Sequence, residues 1–128
     1  MPTAVDYLGQ AKKNESFYDY AKAAGEKHRD WATVVLFYCA LHYVNAVLSI
    51  QKPVPPFNNH SERGWAILRN PVLRPIRRDY RHLKDHCNDA RYGLKILGTL
   101  ADVEKLRVSR LERIKATAVA YLKSQGIA

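Results

Sequence analysis

Cysteine is scarce in this chain, with two among 128 residues, too few for the disulfide framework of a small secreted domain. Cys39 and Cys87 both fall on apolar faces of predicted helices, which suits reduced, buried thiols in a cytoplasmic protein. No basic segment followed by an apolar core stands near the N-terminus, so no secretion signal is expected. Low-complexity tracts and internal repeats are also missing. Acidic residues are few beside basic ones, 12 against 21, for a formal net charge of +9. That excess favours a polyanionic partner, either nucleic acid or an acidic protein, and is silent on fold. The length suits one domain over residues 1–128, able to bury a core without disulfides or metal.

Long apolar runs are limited to one. From Trp31 to Ile50, sixteen of twenty residues are apolar and neither glycine nor proline intervenes. Trp31, Val34, Val35, Tyr38, Leu41, Asn45 and Leu48 follow helical spacing, and Ala32, Leu36, Cys39, Tyr43 and Val47 cover the other side. Such a helix is either central in a bundle or in a membrane. Its length reaches the lower limit of a span, but His42 and Asn45 interrupt it and no second run exists, so a buried central helix and no membrane are expected. Tyr38, His42, Asn45 and Ser49 step by four, three and four, forming one polar stripe on the rod. The stripe reads either as core residues hydrogen-bonded to a neighbouring helix or as the floor of a polar groove.

The other elements follow from their punctuation. Thr3 with Asp6 opens a first helix that Gly25 stops, with Ala4, Leu8, Ala11, Tyr18 and Ala21 on its weakly apolar face. Phe17, Tyr20 and Ala24 lie beside that face, and Asn14 points near it. Glu26 to Asp30 reads as a charged connection, Asp30 capping the central helix. The three prolines in QKPVPPFNN impose an extended loop, and a short helix follows from His60 to Asn70. Pro71 and Pro75 break the chain again. A fourth helix then runs from Ile76 to Leu97 with Tyr80, Leu83, Cys87, Ala90 and Leu94 on its apolar stripe. After Gly98, Thr99 and Asp102 cap a last helix that reaches about Gln125, with Val103, Leu106, Ile114, Ala118, Tyr121 and Leu122 inward. The expected fold is an all-α up-and-down bundle of four long helices plus one short helix.

Two patterns in the fourth helix could carry chemistry. Asp79, His82, His86 and Asp89 step by three, four and three, a spacing that permits a metal site and equally permits exposed helix-surface contacts. No metal and no cofactor are expected. Arg77-x4-His82 and Arg81-x4-His86 pair a phosphate-binding group with an imidazole that moves protons, as metal-free RNA cleavage by the 2′-hydroxyl requires. A solvated basic face explains the same residues.

The run FYCALH at Phe37 to His42 with Ala46, then NNHSER at Asn58 to Arg63, Tyr80-x2-Leu83, and ARY at Ala90 to Tyr92 resembles the HEPN-domain family in order and kind. The likeness covers about residues 10 to 95 and is greatest to small stand-alone HEPN proteins. It implies a four- or five-helix bundle that often dimerises, directed at RNA or nucleotides and belonging to toxin–antitoxin or defence systems, with a possible cognate protein partner. Many members are metal-independent ribonucleases using Arg-x4-6-His. On that pattern Arg77 or Arg81 would hold the scissile phosphate, and His82 or His86 would act as general acid and base. Other members only bind, so enzyme status stays open. The polar residues of the matching blocks and stripe, Asn14, Tyr38, His42, Asn45, His60, Arg63 and Arg91, are the expected ligand-binding set. His42 in particular is expected to hydrogen-bond to Asn14, His60, Arg63 or Arg91, in a functional pocket or in a network that fixes helix register.

Overall fold

The computed structural model describes residues 2–93 and 98–127, and these form helices joined by turns, with no strand among them. Helix α1 (Ala4–Ala23) starts at the expected capping box: Thr3 Oγ1 accepts from the Asp6 N–H at 3.2 Å, and Asp6 accepts from the Thr3 N–H at 2.8 Å. Ala4, Leu8, Ala11, Tyr18 and Ala21 are its buried face. Gly25, at φ +89°, turns the chain in a conformation that costs glycine little.

The connection expected at residues 26–30 is itself helical. A 3₁₀ turn, Glu26–His28, runs directly into α2 (Arg29–Ser49), so Asp30 lies inside the first turn and does not cap it. Its carboxylate accepts only from the adjacent Trp31 N–H. The reason is Glu26, which accepts from Arg29 Nη1 and from the distant Leu100 N–H, each at 3.0 Å, and pins the turn to the far end of the chain.

α2 is the central rod, packed against α1 and against the later helices over Arg77–Asn88 and Glu112–Ser124. Fifteen of its 21 residues are buried, which identifies the apolar run as core. The segment 26–49 is long and apolar enough to cross a membrane, but 83% of its apolar window is covered by the rest of the fold. Each fully buried Leu here contributes about 1.5–3 kcal/mol relative to an exposed one. α1 runs antiparallel to α2, with Tyr7 beside His42 and Phe17 beside Trp31.

After the proline-rich loop, Asn59 caps α3 (His60–Arg69) by accepting from the Glu62 N–H. A 3₁₀ turn at Arg74–Ile76 leads into α4 (Arg77–Asn88), which continues as a π turn, Asp89–Gly93. Ile76, Tyr80, Leu83 and Cys87 are buried as their spacing predicts, and Cys39 and Cys87 are buried free thiols. Leu94 and Leu97, expected on the same stripe, lie outside the described residues.

Thr99 and Asp102 form the second predicted capping box, opening α5 (Leu100–Leu106). A π turn, Arg107–Leu111, joins α5 to α6 (Glu112–Ser124) in one helical run. The sequence explains the π turn. Leu106 and Leu111 are both buried but five positions apart, which on a regular α-helix would separate them by about 140°. One turn with i→i+5 bonding absorbs the slip and keeps both leucines inward.

Candidate nucleic-acid interface

On α4, Arg77, Arg81 and Lys84 step by four and three and so share one face. That face looks onto α3, where His60 and Gly64 are also four apart. Gly64 carries no side chain, and a Cβ placed there would meet nothing within 4 Å. The result is an open groove of about 310 Å³ walled by His60, Ser61, Gly64, Trp65, Ile67 and Leu68 on one side and Arg77, Tyr80, Arg81 and Lys84 on the other. Among the described residues, no carboxylate lines it.

Three features make the groove receptive to an anion. Trp65 is 55% exposed on its rim, with the Arg69 guanidinium over the ring at 5.2 Å. Tyr80 is 5% exposed, and its hydroxyl is buried beside the Arg63 guanidinium without a well-formed hydrogen bond. Burial pushes that phenol's pKa up, the nearby Arg63 cation acting the other way, so it stays a proton donor at neutral pH. Arg63 itself is 7% exposed, and among the described residues no carboxylate pairs with it. Its Nε donates to Asn45 Oδ1 at 2.9 Å and its Nη2 to the Phe57 carbonyl at 3.1 Å, while Nη1 lies 3.4 Å from His60 Nδ1. A buried guanidinium held only by neutral acceptors leaves a positive potential beside the groove. Burial, then Lys84, Arg63 and Arg91, holds the His60 imidazole below its usual pKa.

The expected ligand-binding set is divided into three groups. Asn45, His60 and Arg63 form the network just described. Tyr38 accepts from Arg91 Nη1 at 2.7 Å, and the Arg91 guanidinium lies over the Tyr92 ring. His42 and Asn14 line a different groove between α1 and α2, which Tyr38 also borders, and there Asn14 accepts from Gln10. The polar stripe from Tyr38 to Asn45 spans seven residue steps, about 10 Å of helix, so its members meet different neighbours at their own levels. His42 is the correction this requires. Its Nδ1 is buried and has no partner, and its ring lies against Tyr7 with centroids 6.3 Å apart. Arg63, an expected partner, is already engaged by Asn45, Phe57 and His60. Burial and the Arg63 charge lower the His42 pKa.

The two Arg-x4-His pairs do not face one another within this helix. Five positions place Arg77 and His82 about 140° apart around the axis, and likewise Arg81 and His86. Arg77 and Arg81 line the groove; His82 sits in a separate shallow depression with Arg78, Arg81, Asp85 and Arg110. His82 and His86 meet edge to face at the surface, their rings 62° apart and Nε2 to Nε2 3.2 Å. Burial, Arg110 and His86 hold the His82 pKa below 6.5. Asp79, the first member of the predicted four-residue stripe, is 2% exposed and turned toward the last helix, where Arg110 Nη1 approaches at 3.0 Å and Arg113 Nε at 3.5 Å. Among the described residues, no three His, Cys, Asp or Glu side chains converge.

Lys84, Trp65 and the Tyr80 hydroxyl are the groove residues that reading the sequence for motifs misses. The i, i+4, i+7 cation spacing from Arg77 was the available signal. Compared with known proteins, the chain matches no family model, and no curated protein and no solved structure is significantly similar to it.

Proposed function

We propose that this protein is a HEPN-like, non-catalytic binding module for RNA or nucleotides, with the α3/α4 groove as its binding site. The observation that carries the reading is the set Arg77, Arg81 and Lys84 opposite Trp65 and His60, with no carboxylate among the described residues that line the groove. The three cations take phosphate oxygens, and a base stacks on the exposed indole. The order of the sequence blocks supports a HEPN-like bundle of four long helices and one short one. A cytoplasmic homodimer working with a cognate partner in a toxin–antitoxin or defence system belongs to the same reading.

The test is a fluorescence titration of a Trp31→Phe variant, which leaves Trp65 as the sole indole, with short single-stranded RNA and with AMP. Quenching that saturates, and that Arg81→Gln weakens, is the expected result. Emission unchanged by either ligand would overturn the reading.

A second reading, metal-independent ribonuclease, is favoured by the cations Arg78, Arg81 and Arg110 around His82. Under it Arg77 or Arg81 orients the phosphate and His82 or His86 moves the proton, the paired groups coming from two chains since one helix keeps them apart. RNA incubated with the protein in EDTA separates the two: intact RNA supports the binding module, and cleavage abolished by His82→Ala supports the nuclease.

A further inference from the structure

His82 and His86 occupy successive turns of one face of α4, and their Nε2 atoms are 3.2 Å apart on an exposed surface. Without a metal, that approach is a single hydrogen bond, one imidazole donating and the other accepting. The same separation has a second use. Nitrogen ligands bind Zn²⁺ at about 2.0–2.1 Å, so two of them 3.2 Å apart subtend an angle of about 103° at a shared ion. This lies between the square-planar and tetrahedral values, within the range that Cu²⁺, Ni²⁺ and Zn²⁺ accept. We propose that His82 and His86 form a two-point chelate for a late first-row divalent cation on the outer face of α4. Both Nε2 lone pairs point at the ion, and both rings carry their proton on Nδ1.

The surroundings define what kind of site it is. Asp79 is committed to Arg110 and Arg113 on the last helix, so it is no third ligand. Cys39 and Cys87 are buried and do not compete. The two remaining coordination positions are open to water or to an anion. Arg78, Arg81 and Arg110 stand beside the pair, with Asp85 the one carboxylate in the depression. This cationic setting weakens the hold on a bare divalent ion and favours an anionic co-ligand, a phosphate oxygen or chloride. Affinity follows the usual order, strongest for Cu²⁺.

Tag-free full-length protein, titrated calorimetrically with NiCl₂ and followed by electron paramagnetic resonance with CuCl₂, tests this. Saturable binding of one ion per chain with nitrogen hyperfine structure is expected. His82→Ala and His86→Ala should each weaken it about tenfold or more, while His28→Ala should leave it unchanged. His82 is exposed and His86 half-buried, and circular dichroism checks that the helices persist in both variants. Absence of saturable binding to the wild type, or affinity kept within about twofold by both variants, would overturn the site. Neither result depends on RNA or nucleotide binding by the α3/α4 groove.

Discussion

Two grooves of this fold differ in kind. The one between α3 and α4 carries three cations and no acid; the one between α1 and α2 is lined by Gln10, Asn14, Phe17, Trp31, Val34, Val35, Tyr38 and His42, without a formal charge. Phe17 and Trp31 are 47% and 55% exposed there. A net charge of +9 is therefore not spread evenly over the surface. The proposed polyanion recognition accordingly falls on one face of α4, where cation spacing matches the helix repeat and an aromatic stands opposite.

The most direct way to break this distinction is to neutralise one groove and truncate the other. Replacing Arg77, Arg81 and Lys84 together by glutamine should weaken single-stranded RNA binding about 100-fold at low salt. It should also flatten the log–log salt dependence by about 2, since each phosphate contact contributes roughly 0.7. Phe17→Ala with Trp31→Ala should leave affinity and slope as they were. Filter binding over a range of salt concentrations measures both, and equal losses from the two variants would erase the contrast.

Next in size is a stability effect on the side of α4 away from the groove. Asp79 is buried between two guanidiniums, and removing it in Asp79→Ala leaves Arg110 without its anion. Loss of one member of a buried pair can cost 3–5 kcal/mol, but both arginines here keep access to water, so about 2 kcal/mol is expected. Thermal unfolding should shift down by roughly 5–10 °C. Asp85→Ala, a turn and a half further along the same helix, should stay within about 0.5 kcal/mol.

These residues also mark what was legible in the sequence. Ile76, Tyr80, Leu83 and Cys87 are buried as their three- and four-residue steps require, because helix periodicity is a local signal. Both threonine capping boxes are local too. Leu111 breaks the step from Leu106, and its burial rests on the π turn, which the 3.6-residue repeat does not anticipate. Asp79 has the spacing of a solvated stripe with His82; its burial comes from Arg110, 31 positions later. Asn45 and Arg63 do meet, as the polar stripe allowed, but the shared pocket with His42 and Asn14 fails. Helical spacing fixes the side of a rod a residue occupies and not which neighbour stands at its level.

His42 gives the smallest effect and the finest test of the difference between the grooves. Its Nδ1 is a buried polar atom without a partner in an uncharged cleft, so the imidazole is a liability to folding. Its pKa in the folded chain is held below 6.5, first by burial and then by Arg63. The sign follows from linkage: a group whose folded pKa is depressed binds protons more readily when unfolded. Its stabilising contribution is complete above pH 6.5 and is lost as pH falls from there through the folded value. His42→Leu should therefore raise stability by about 1 kcal/mol at pH 7.5, by removing the unsatisfied nitrogen. It should also reduce the loss of stability between pH 7.5 and 5.5. His60 and His82, whose pKa values are lowered as well, keep part of that loss in place. Urea unfolding at the two pH values measures both effects. A His42→Leu protein less stable than wild type at pH 7.5, with the full decline toward pH 5.5, would mean that the imidazole is satisfied in solution and that the α1/α2 groove is not the apolar counterpart of the α3/α4 site.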